Sequence, residues 1–420
     1  MKILCTSADS LPATFQPDEQ AFSFFKSAGR EGVGNIANTW KRDLKRNGFA
    51  PDAATWDFVQ FCLAACAADL ACPRATSADG WTRVIDLTVG LHEPLRWIGY
   101  EEHLANMLKL LTGDHWTIHF LAGGEAPPTG TVTAVPHDCV CLLSGGLDSL
   151  VGGINLVTEH RRPVFVSQLA HDDSRRQIAY ANRLGGLNSH WQWSHGITFK
   201  GPREPSTRAR SLAFYAFAVL AASRLSGERV QIFVPENGFI CINPPLVPGR
   251  VSSLSTKTTH PQFIAMMQTL LDGLGVKVVL ELPYRFKTKG QMLEECLNQE
   301  LLDELASDTT SCGRFRTYNR THCGRCVPFM IRKGAFHAWG PGRDRTTYVH
   351  ESLAESDKSS GPDDAMAAAL AVLSVEKQGL DRFLGATLGF ADTAERASYR
   401  KVLGDGLSEV DAILRRDGVL

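Results

Sequence analysis

The segment Ser144-Gly145-Gly146-Leu147-Asp148-Ser149 lies between an apolar run, Cys139 to Leu143, and a helical pattern, Leu150 to Val157. A strand that ends in a Ser-Gly-Gly turn and passes directly into a helix leaves backbone N–H groups pointing outward at the positive end of the helix dipole. Such a turn is suited to bind pyrophosphate. The sequence therefore predicts a phosphate-binding loop, which restricts this part of the chain to a strand–loop–helix unit.

The residue types within this segment fit that interpretation. Its two glycines permit the close approach of an anion that a Cβ would block, and its two serines add hydroxyl donors. Asp148 can orient Mg²⁺ or serve as a carboxylate in the first helical turn. The segment lacks the Gly-Lys-Ser/Thr ending of a Walker A loop, so hydrolysis of a γ-phosphate is not the chemistry it indicates. An ordinary glycine-rich turn is the alternative.

Composition restricts the class of protein. The 420 residues include 44 Lys+Arg and 45 Asp+Glu, a formal net charge of -1. This balance argues against a dominant nucleic-acid surface, although it is compatible with a local basic groove. No N-terminal stretch resembles a signal peptide, and no apolar run approaches the ~18 residues of a membrane span. We therefore expect a soluble cytoplasmic protein that does not contact membranes.

The distribution of strand and helix patterns predicts four regions. Residues 1–121 read as an N-terminal α/β accessory domain, and the Gly/Pro-rich stretch 122–137 reads as a linker. Strands and helices alternate over 138–340, which predicts βαβ units and a doubly wound, mostly parallel sheet that binds ligands at the carboxyl ends of its strands. Residues 341–420 read as a helical tail, either a cap or a partner surface. Helical patterns cover 22–45, 51–70, 101–111, 206–225 and 289–304.

Several polar residues are candidates to contact substrate. Arg208 and Arg210 precede an apolar helical run and could supply fixed positive charge, or they could be solvated arginines. Glu236 and Asn237 follow a predicted strand, where ligands bind in such sheets, but Asn-Gly is equally a turn signal.

Two further segments carry cations and hydroxyls. The polar run 255–261 could contact phosphate through its hydroxyls and Lys257, and substrate through His260; alternatively it is a loop before a proline-started helix. Lys289 is the candidate to neutralise pyrophosphate as it leaves. A solvated lysine is the alternative for that position.

The 11 cysteines are mostly scattered through apolar runs, as reduced core residues are. The exception is Cys312, followed by the Cys-x-x-Cys pair Cys323 and Cys326, which has the spacing of a thiolate zinc site. A fourth ligand is missing at the position of Phe329. The candidates for that place are His322, His337, Cys296 or a water; reduced core thiols and redox chemistry remain as alternatives.

Together, three motifs resemble the 7-cyano-7-deazaguanine synthase (QueC) family of PP-loop pyrophosphatases over about residues 138 to 340. They are the phosphate loop, the turn Lys287-Thr288-Lys289-Gly290, and the ending Ser311-Cys312 … Cys323-Gly324-Arg325-Cys326 … Arg332. The resemblance implies a five-stranded nucleotide α hydrolase-like sheet and cleavage of ATP between its α and β phosphates. It also implies adenylation of 7-carboxy-7-deazaguanine, ammonia as the amine, a nitrile product, and zinc on four cysteines.

The chain departs from that pattern at Phe329, in its first 137 residues, in its tail, and in the segments 236–238 and 255–263. These departures look similar to the QueC-like proteins of bacterial anti-phage systems, the QatC group. That likeness implies that an amine of a protein partner replaces ammonia. We expect the N-terminal domain to recognise that partner or to cover the active site. A nitrile-forming synthase of queuosine biosynthesis and a nucleotide-binding regulatory subunit with little turnover are the alternatives.

Overall fold

The computed structural model describes residues 1–130, 135–169, 173–246, 257–310, 317–355 and 363–420. Its strands are β1 (Lys2–Thr6), β2 (Glu19–Phe24), β3 (Gly34–Ile36), β4 (Val84–Leu91), β5 (His115–Ala122), β6 (Cys139–Leu142), β7 (Pro163–Gln168), β8 (His190–Trp193), β9 (Ile197–Thr198), β10 (Val230–Phe233) and β11 (Val278–Glu281).

The α-helices are α1 (Trp40–Arg46), α2 (Ala53–Ala71), α3 (Glu101–Thr112), α4 (Leu147–Thr158), α5 (Ser174–Leu184), α6 (Leu212–Ala222), α7 (Gly238–Ile242), α8 (Pro261–Gly273), α9 (Lys289–Glu294), α10 (Gln299–Leu305), α11 (Val327–Trp339), α12 (Asp364–Gln378), α13 (Leu380–Leu384) and α14 (Thr393–Arg416). The predicted α/β class, with mostly parallel sheets and a helical C-terminus, is confirmed. Among the described helices, none combines the length and hydropathy needed to cross a membrane.

The first sheet has six strands in the order β5-β4-β1-β2-β3-β9. Its strands are parallel except for β9, which pairs antiparallel with β3. Because β9 comes from the region after the Gly/Pro-rich stretch, that region completes the sheet formed by the first part of the chain.

The second sheet has five parallel strands in the order β11-β10-β6-β7-β8. The chain builds outward from β6 through β7 to β8, and then returns to the other side of β6 to add β10 and β11. The strand order therefore reverses at β6, and a crevice opens at the carboxyl ends of β6 and β10. Ligands of open α/β sheets bind in such a crevice.

Two helices join the sheets into one hydrophobic core. The long helix α2 packs on the first sheet, α6 packs on β6, β7 and β10, and the two helices pack against each other. All residues of α6 except Phe214 are buried, so this helix has no solvent-facing side. Phe217 of α6 contacts both Trp40, at a ring-centroid distance of 5.2 Å, and Trp193, at 5.6 Å. The two sheets therefore share buried side chains.

Two helical predictions need correction. The pattern over 22–45 is not one helix but β2, β3 and α1, because the aromatic cluster Phe22, Phe24 and Phe25 favours a strand and Gly29, Gly32 and Gly34 interrupt any helix. The pattern over 289–304 is divided into α9 and α10, since the Asn298 side chain accepts a hydrogen bond from the Leu301 N–H at 3.0 Å and begins a new helix.

Candidate functional site

The phosphate loop follows β6 and is held by its own two serines. The Ser149 hydroxyl accepts a hydrogen bond from the Ser144 N–H at 3.2 Å and donates to the Gly146 carbonyl at 2.9 Å. The Ser144 hydroxyl accepts from the Gly146 N–H at 3.2 Å. Gly145 has a φ of 91°, in the left-handed region that favours glycine. The serines therefore fix the loop before any ligand binds.

The helix that follows the loop begins without a side-chain cap. Its first residue is Leu147, the N-cap is Gly146, and no side-chain hydrogen bond caps this end. The N–H groups in the first turn of a helix have no partner within the helix, and they carry the positive end of its dipole. This end of α4 is therefore suited to bind a phosphate group.

Asp148, in the first turn of α4, forms a buried ion pair with Lys289, the first residue of α9. Its other oxygen accepts hydrogen bonds from Asn237, from the backbone N–H at 3.1 Å and from the side-chain amide at 2.7 Å. Burial alone would raise the pKa of Asp148, but the Lys289 charge and these hydrogen bonds hold it below its ordinary value. Asp148 is therefore a carboxylate that joins three segments of the chain.

Glu236 lies beside this pair at the end of β10. Burial, followed by the negative charge of Asp148, raises the pKa of Glu236 well above its ordinary value. The Glu236 carboxyl is therefore protonated more easily than that of an exposed glutamate. Asp148 and Lys289 carry opposite charges and neutralise each other.

These residues line one open cavity of about 250 Å³. The loop supplies one wall, and Glu236, Lys289 and Thr310 contribute polar groups. Apolar surface comes from Pro235, Ile240 and Pro328, and Asn243 completes the lining. The Thr310 N–H donates to the Gly145 carbonyl at 3.1 Å, which attaches the segment after α10 to the loop. The cavity therefore presents phosphate-binding groups beside an apolar wall.

The C-terminal helix α14 supports the cavity from behind Lys289. The Glu409 carboxylate accepts hydrogen bonds from the Thr288 hydroxyl and, at 3.3 Å, from the Gly290 N–H. Thr288 is the N-cap of α9 and forms a capping box with Gln291, whose side chain also donates to Asp405 at 2.9 Å. A Cβ at Gly290 would lie 2.5 Å from the Glu409 Oε1 atom, so a larger residue there would displace the Glu409 carboxyl from its present position. The tail therefore positions the helix that carries Lys289.

The cysteine pair lies at the start of α11, next to the cavity. Cys323 and Cys326 are buried with Phe329, and the Cys326 N–H donates to the Cys323 sulfur at 3.4 Å. Pro328, two residues after Cys326, lines the cavity. The predicted third ligand, Cys312, lies outside the described residues. Within the described residues, no three His, Cys, Asp or Glu side chains form a group that could hold a metal.

Three predicted substrate-binding residues lie away from the cavity. Arg208 is buried between α2, α3 and the start of α6, where its guanidinium donates to the Thr112 carbonyl at 2.7 Å. Arg210 is exposed. His260 is buried, caps α8 by accepting from the Gln262 N–H at 3.3 Å, and contacts the Phe390 ring. The structure thus brings Asp148, Lys289, Glu236 and Asn237 together, but not these three.

Some lining and supporting residues were missed by sequence reasoning. Thr310 and Pro328 adjoin the cysteine motif, and their proximity to the phosphate loop follows only from the fold. The Thr288–Gln291 capping box has a recognisable spacing, Thr-x-x-Gln, that could have marked the start of α9. Glu409 carries no sequence signal, since it is one acid on a charged helix.

The first prediction concerns the buried ion pair. Asp148→Ala leaves the Lys289 ammonium buried without its partner, so we expect a loss of about 3–5 kcal/mol in the free energy of unfolding. The double variant Asp148→Asn, Lys289→Met should recover most of that stability, because no charge is then left unpaired. Urea denaturation of the single and double variants measures this. Arg400→Met, which removes an exposed pair with Asp381, is the control and should change little.

A double variant that is no more stable than Asp148→Ala would contradict the coupling between Asp148 and Lys289. Full stability in Asp148→Ala would contradict the structural role of the carboxylate.

A second prediction concerns pH. Burial raises the pKa of Glu409 from 4.5 to about 7, although the hydrogen bonds from Thr288 and Gly290 oppose that shift. A carboxyl whose pKa is raised by folding stabilises the protein below its unfolded pKa, and this contribution is lost as the pH rises through the folded value. The free energy of unfolding should therefore fall between about pH 5 and pH 8, by on the order of 2–3 kcal/mol.

Glu409→Gln should remove this pH-dependent fall, while the exposed Glu300→Gln should keep it. Denaturant titrations at several pH values measure the difference. Equal slopes in Glu409→Gln and the wild type would show that Glu409 does not titrate in this range.

Comparison with known proteins does not assign this chain to a family. The chain matches no protein-family model, and no curated protein is similar to it. The features that indicate a function are those of the site itself. They are the start of α4 without a side-chain cap, the two ordered serines, and the buried carboxylate–ammonium pair, at the point where the strand order of the parallel sheet reverses.

Proposed function

We propose that this protein is an ATP-dependent ligase of the PP-loop type, which adenylates a carboxylic acid and transfers it to an amine. The observation that carries the proposal is the position of the phosphate loop at the carboxyl end of β6, where the strand order reverses. The first turn of α4 lines the cavity there, beside Lys289 and Glu236. Uncapped N–H groups and a nearby ammonium are groups that bind a polyphosphate.

The chemistry begins from a carboxylate that is a poor electrophile. An oxygen of the substrate carboxylate forms a bond to the α phosphorus of ATP, the bond to the bridging oxygen breaks, and pyrophosphate leaves. An amine nitrogen then attacks the acyl carbon, AMP departs with the bonding electrons, and the nitrogen loses a proton to form the amide. Binding both reactants in one cavity supplies the proximity that each step needs.

The residues of this site have distinct roles in that scheme. The N–H groups at the start of α4 and the two serine hydroxyls bind the departing pyrophosphate. Lys289 supplies positive charge beside it, and Asp148 positions Lys289. Mg²⁺ would fit the hard oxygen donors of Asp148, Glu236 and the serines, and when bound it would neutralise phosphate charge. Glu236, when ionised, would add a second anionic oxygen for that ion.

The arrangement supports cleavage between the α and β phosphates over hydrolysis of the γ-phosphate. The loop carries no lysine of its own, and the lysine of the site, Lys289, comes from the start of α9 and is held by Asp148. A pyrophosphate group seated on the first turn of α4 leaves the α phosphorus as the position open to attack.

The choice of substrates rests on the resemblance to the QueC family. On that basis the acid is a 7-deazapurine carboxylic acid, and the acceptor is an amine of a protein partner in an anti-phage system, as in the QatC group. The apolar wall formed by Pro235, Ile240 and Pro328 is compatible with a flat ring. A synthase that uses ammonia and forms a nitrile is the second candidate, since the same cavity would serve it.

The proposal predicts AMP and pyrophosphate as products. With ATP labelled at the α phosphate and a 7-deazapurine acid supplied, thin-layer separation should show AMP, and ADP as the main product would contradict the proposal.

Ser149→Ala removes the hydroxyl that orders the loop, so we expect a loss of about 10²-fold or more in the rate. Ser223→Ala, an exposed serine that bonds within its own helix, is the matched control.

Mass spectrometry distinguishes the acceptors. An adduct on a co-expressed partner indicates a protein amine, whereas a nitrile formed with ammonium salts alone indicates the synthase.

Zinc is a further part of the proposal. Cys323 and Cys326 flank a turn whose Gly324 has a φ of 85°, and a hydrogen bond such as that from the Cys326 N–H to the Cys323 sulfur stabilises a thiolate. With Cys312 and a non-cysteine ligand they would hold a structural zinc beside Pro328. Elemental analysis of protein purified without added metal should find about one zinc per chain. Stable, active protein with almost no zinc would contradict this.

A further inference from the structure

A second and larger cavity, of about 570 Å³, lies between α3 and the start of α8. Arg208 and Thr112 lie in its lining, Lys109 and Lys257 contribute two further cations, and Leu110 and Met266 provide apolar surface. None of the residues that line this cavity lines the one at the phosphate loop. It is therefore a separate place on the molecule.

Arg208 is a buried cation whose side chain forms no ion pair with a carboxylate of the described residues. Its guanidinium donates to the Thr112 carbonyl and lies over the Trp81 ring, at 5.4 Å from the ring centroid. Its Nη2 atom, which is buried, has no hydrogen-bond partner among the described residues. Burial, followed by the charge of Arg74, lowers the pKa of Arg208 to about 10. A buried guanidinium in this condition gains from an anion nearby.

The carboxylates around Arg208 are already used by other groups. Asp114 accepts from the side chains of Arg74, at 2.7 Å, and Arg83, at 2.6 Å. Asp69 pairs with Arg83 through one oxygen and accepts the backbone N–H groups of Arg208 and Ala209 through the other. Glu204, which is also buried, accepts backbone N–H groups, from Arg74 at 2.8 Å and from Ser206 at 2.9 Å.

The two lysines add charge to the same cavity. Lys109 and Lys257 form no ion pair with any carboxylate in the described part of the chain, and burial lowers the pKa of Lys257. No aspartate or glutamate is present among the described residues that line the cavity. Three cations thus line one concave space, and no carboxylate of the described residues lines it with them, in a chain whose net charge is -1. This concentration of positive charge is local.

We propose that this cavity binds a small organic phosphate, up to the size of a nucleotide. Arginine and lysine are the side chains that recognise phosphate, and here the arginine is fixed by its burial while the lysines extend from the walls. The apolar surface of Leu110 and Met266 accommodates the organic part, and the volume lies within the range of small-molecule sites. A nucleic acid would need cations spread along its backbone, whereas these three share one cavity.

Titration calorimetry on the full chain without Mg²⁺ tests this, with ribose 5-phosphate as the probe. Ser149→Ala serves as the background, because it weakens the phosphate loop and leaves the second cavity unaltered. We expect the probe to bind this background, and Lys257→Gln or Lys109→Gln to weaken it by about tenfold each. Lys45→Gln, an exposed lysine on α1, is the matched control and should leave the affinity unchanged.

Three outcomes would overturn the proposal. The first is no binding of ribose 5-phosphate to the Ser149→Ala chain at millimolar concentration, and the second is an affinity that Lys257→Gln and Lys109→Gln leave unchanged. The third is binding of succinate or of a short oligonucleotide at least as tight as that of ribose 5-phosphate, which would indicate a general anion or nucleic-acid surface. Circular dichroism of each lysine variant verifies that the fold is retained, as expected for side chains on the cavity walls.

Discussion

The ion pair between Asp148 and Lys289 holds the candidate site together. It joins the phosphate loop after β6 to α9, and through Asn237 it joins both to the turn after β10. Two charges removed from water cost several kcal/mol, and this cost is offset only when their geometry and hydrogen bonds are complete. Here one Asp148 oxygen contacts the Lys289 ammonium and the other accepts hydrogen bonds from two N–H donors, so the site is ordered before a ligand arrives.

Order of this kind has a chemical use. Groups that are already oriented toward developing charge need no reorganisation during the reaction, which is the main source of electrostatic stabilisation in enzymes. Lys289 cannot reorient freely while Asp148 holds it, and Glu409 fixes the start of its helix from the other side. The C-terminal helix therefore belongs to the support of the site, although it is remote in sequence. Close contacts at Gly290 and Gly334 allow α14 to approach so near.

The sequence predicted the parts of the site that are local. The strand–loop–helix at Ser144 to Ser149 was recognisable because glycine, serine and the flanking periodicity act over a few residues. Glu236 and Asn237 were found because parallel strands end at one edge, so a polar pair after a strand indicates a ligand side. Arg208 is also a polar residue, but it does not follow a strand. Its position is set by packing between α2 and α3, which no local pattern encodes.

The limits of sequence reasoning follow from the same distinction. Contacts such as Glu409 with Thr288 join residues 121 positions apart, and a single acid on a charged helix looks like any solvated residue. The helix predicted over 22–45 failed for a local reason: its spacing of aromatics fits a strand as well as a helix, and the three glycines decided between them. The apolar composition of α6 agrees with the burial of all its residues except Phe214, but it does not indicate that two sheets share this helix.

That shared helix determines how the molecule can move. In many two-sheet proteins the halves rotate about a hinge to admit a substrate, because their interface is polar and easily parted. Here a rotation between the sheets would separate α2 from α6 and expose side chains such as Phe217 to water, at about 25 cal/mol for each Å² of apolar surface uncovered. Such a rotation is therefore costly, whereas the short helix α7, which lies beside the crevice at β6, packs in a separate hydrophobic cluster with the C-terminal helices and is not part of this shared interface.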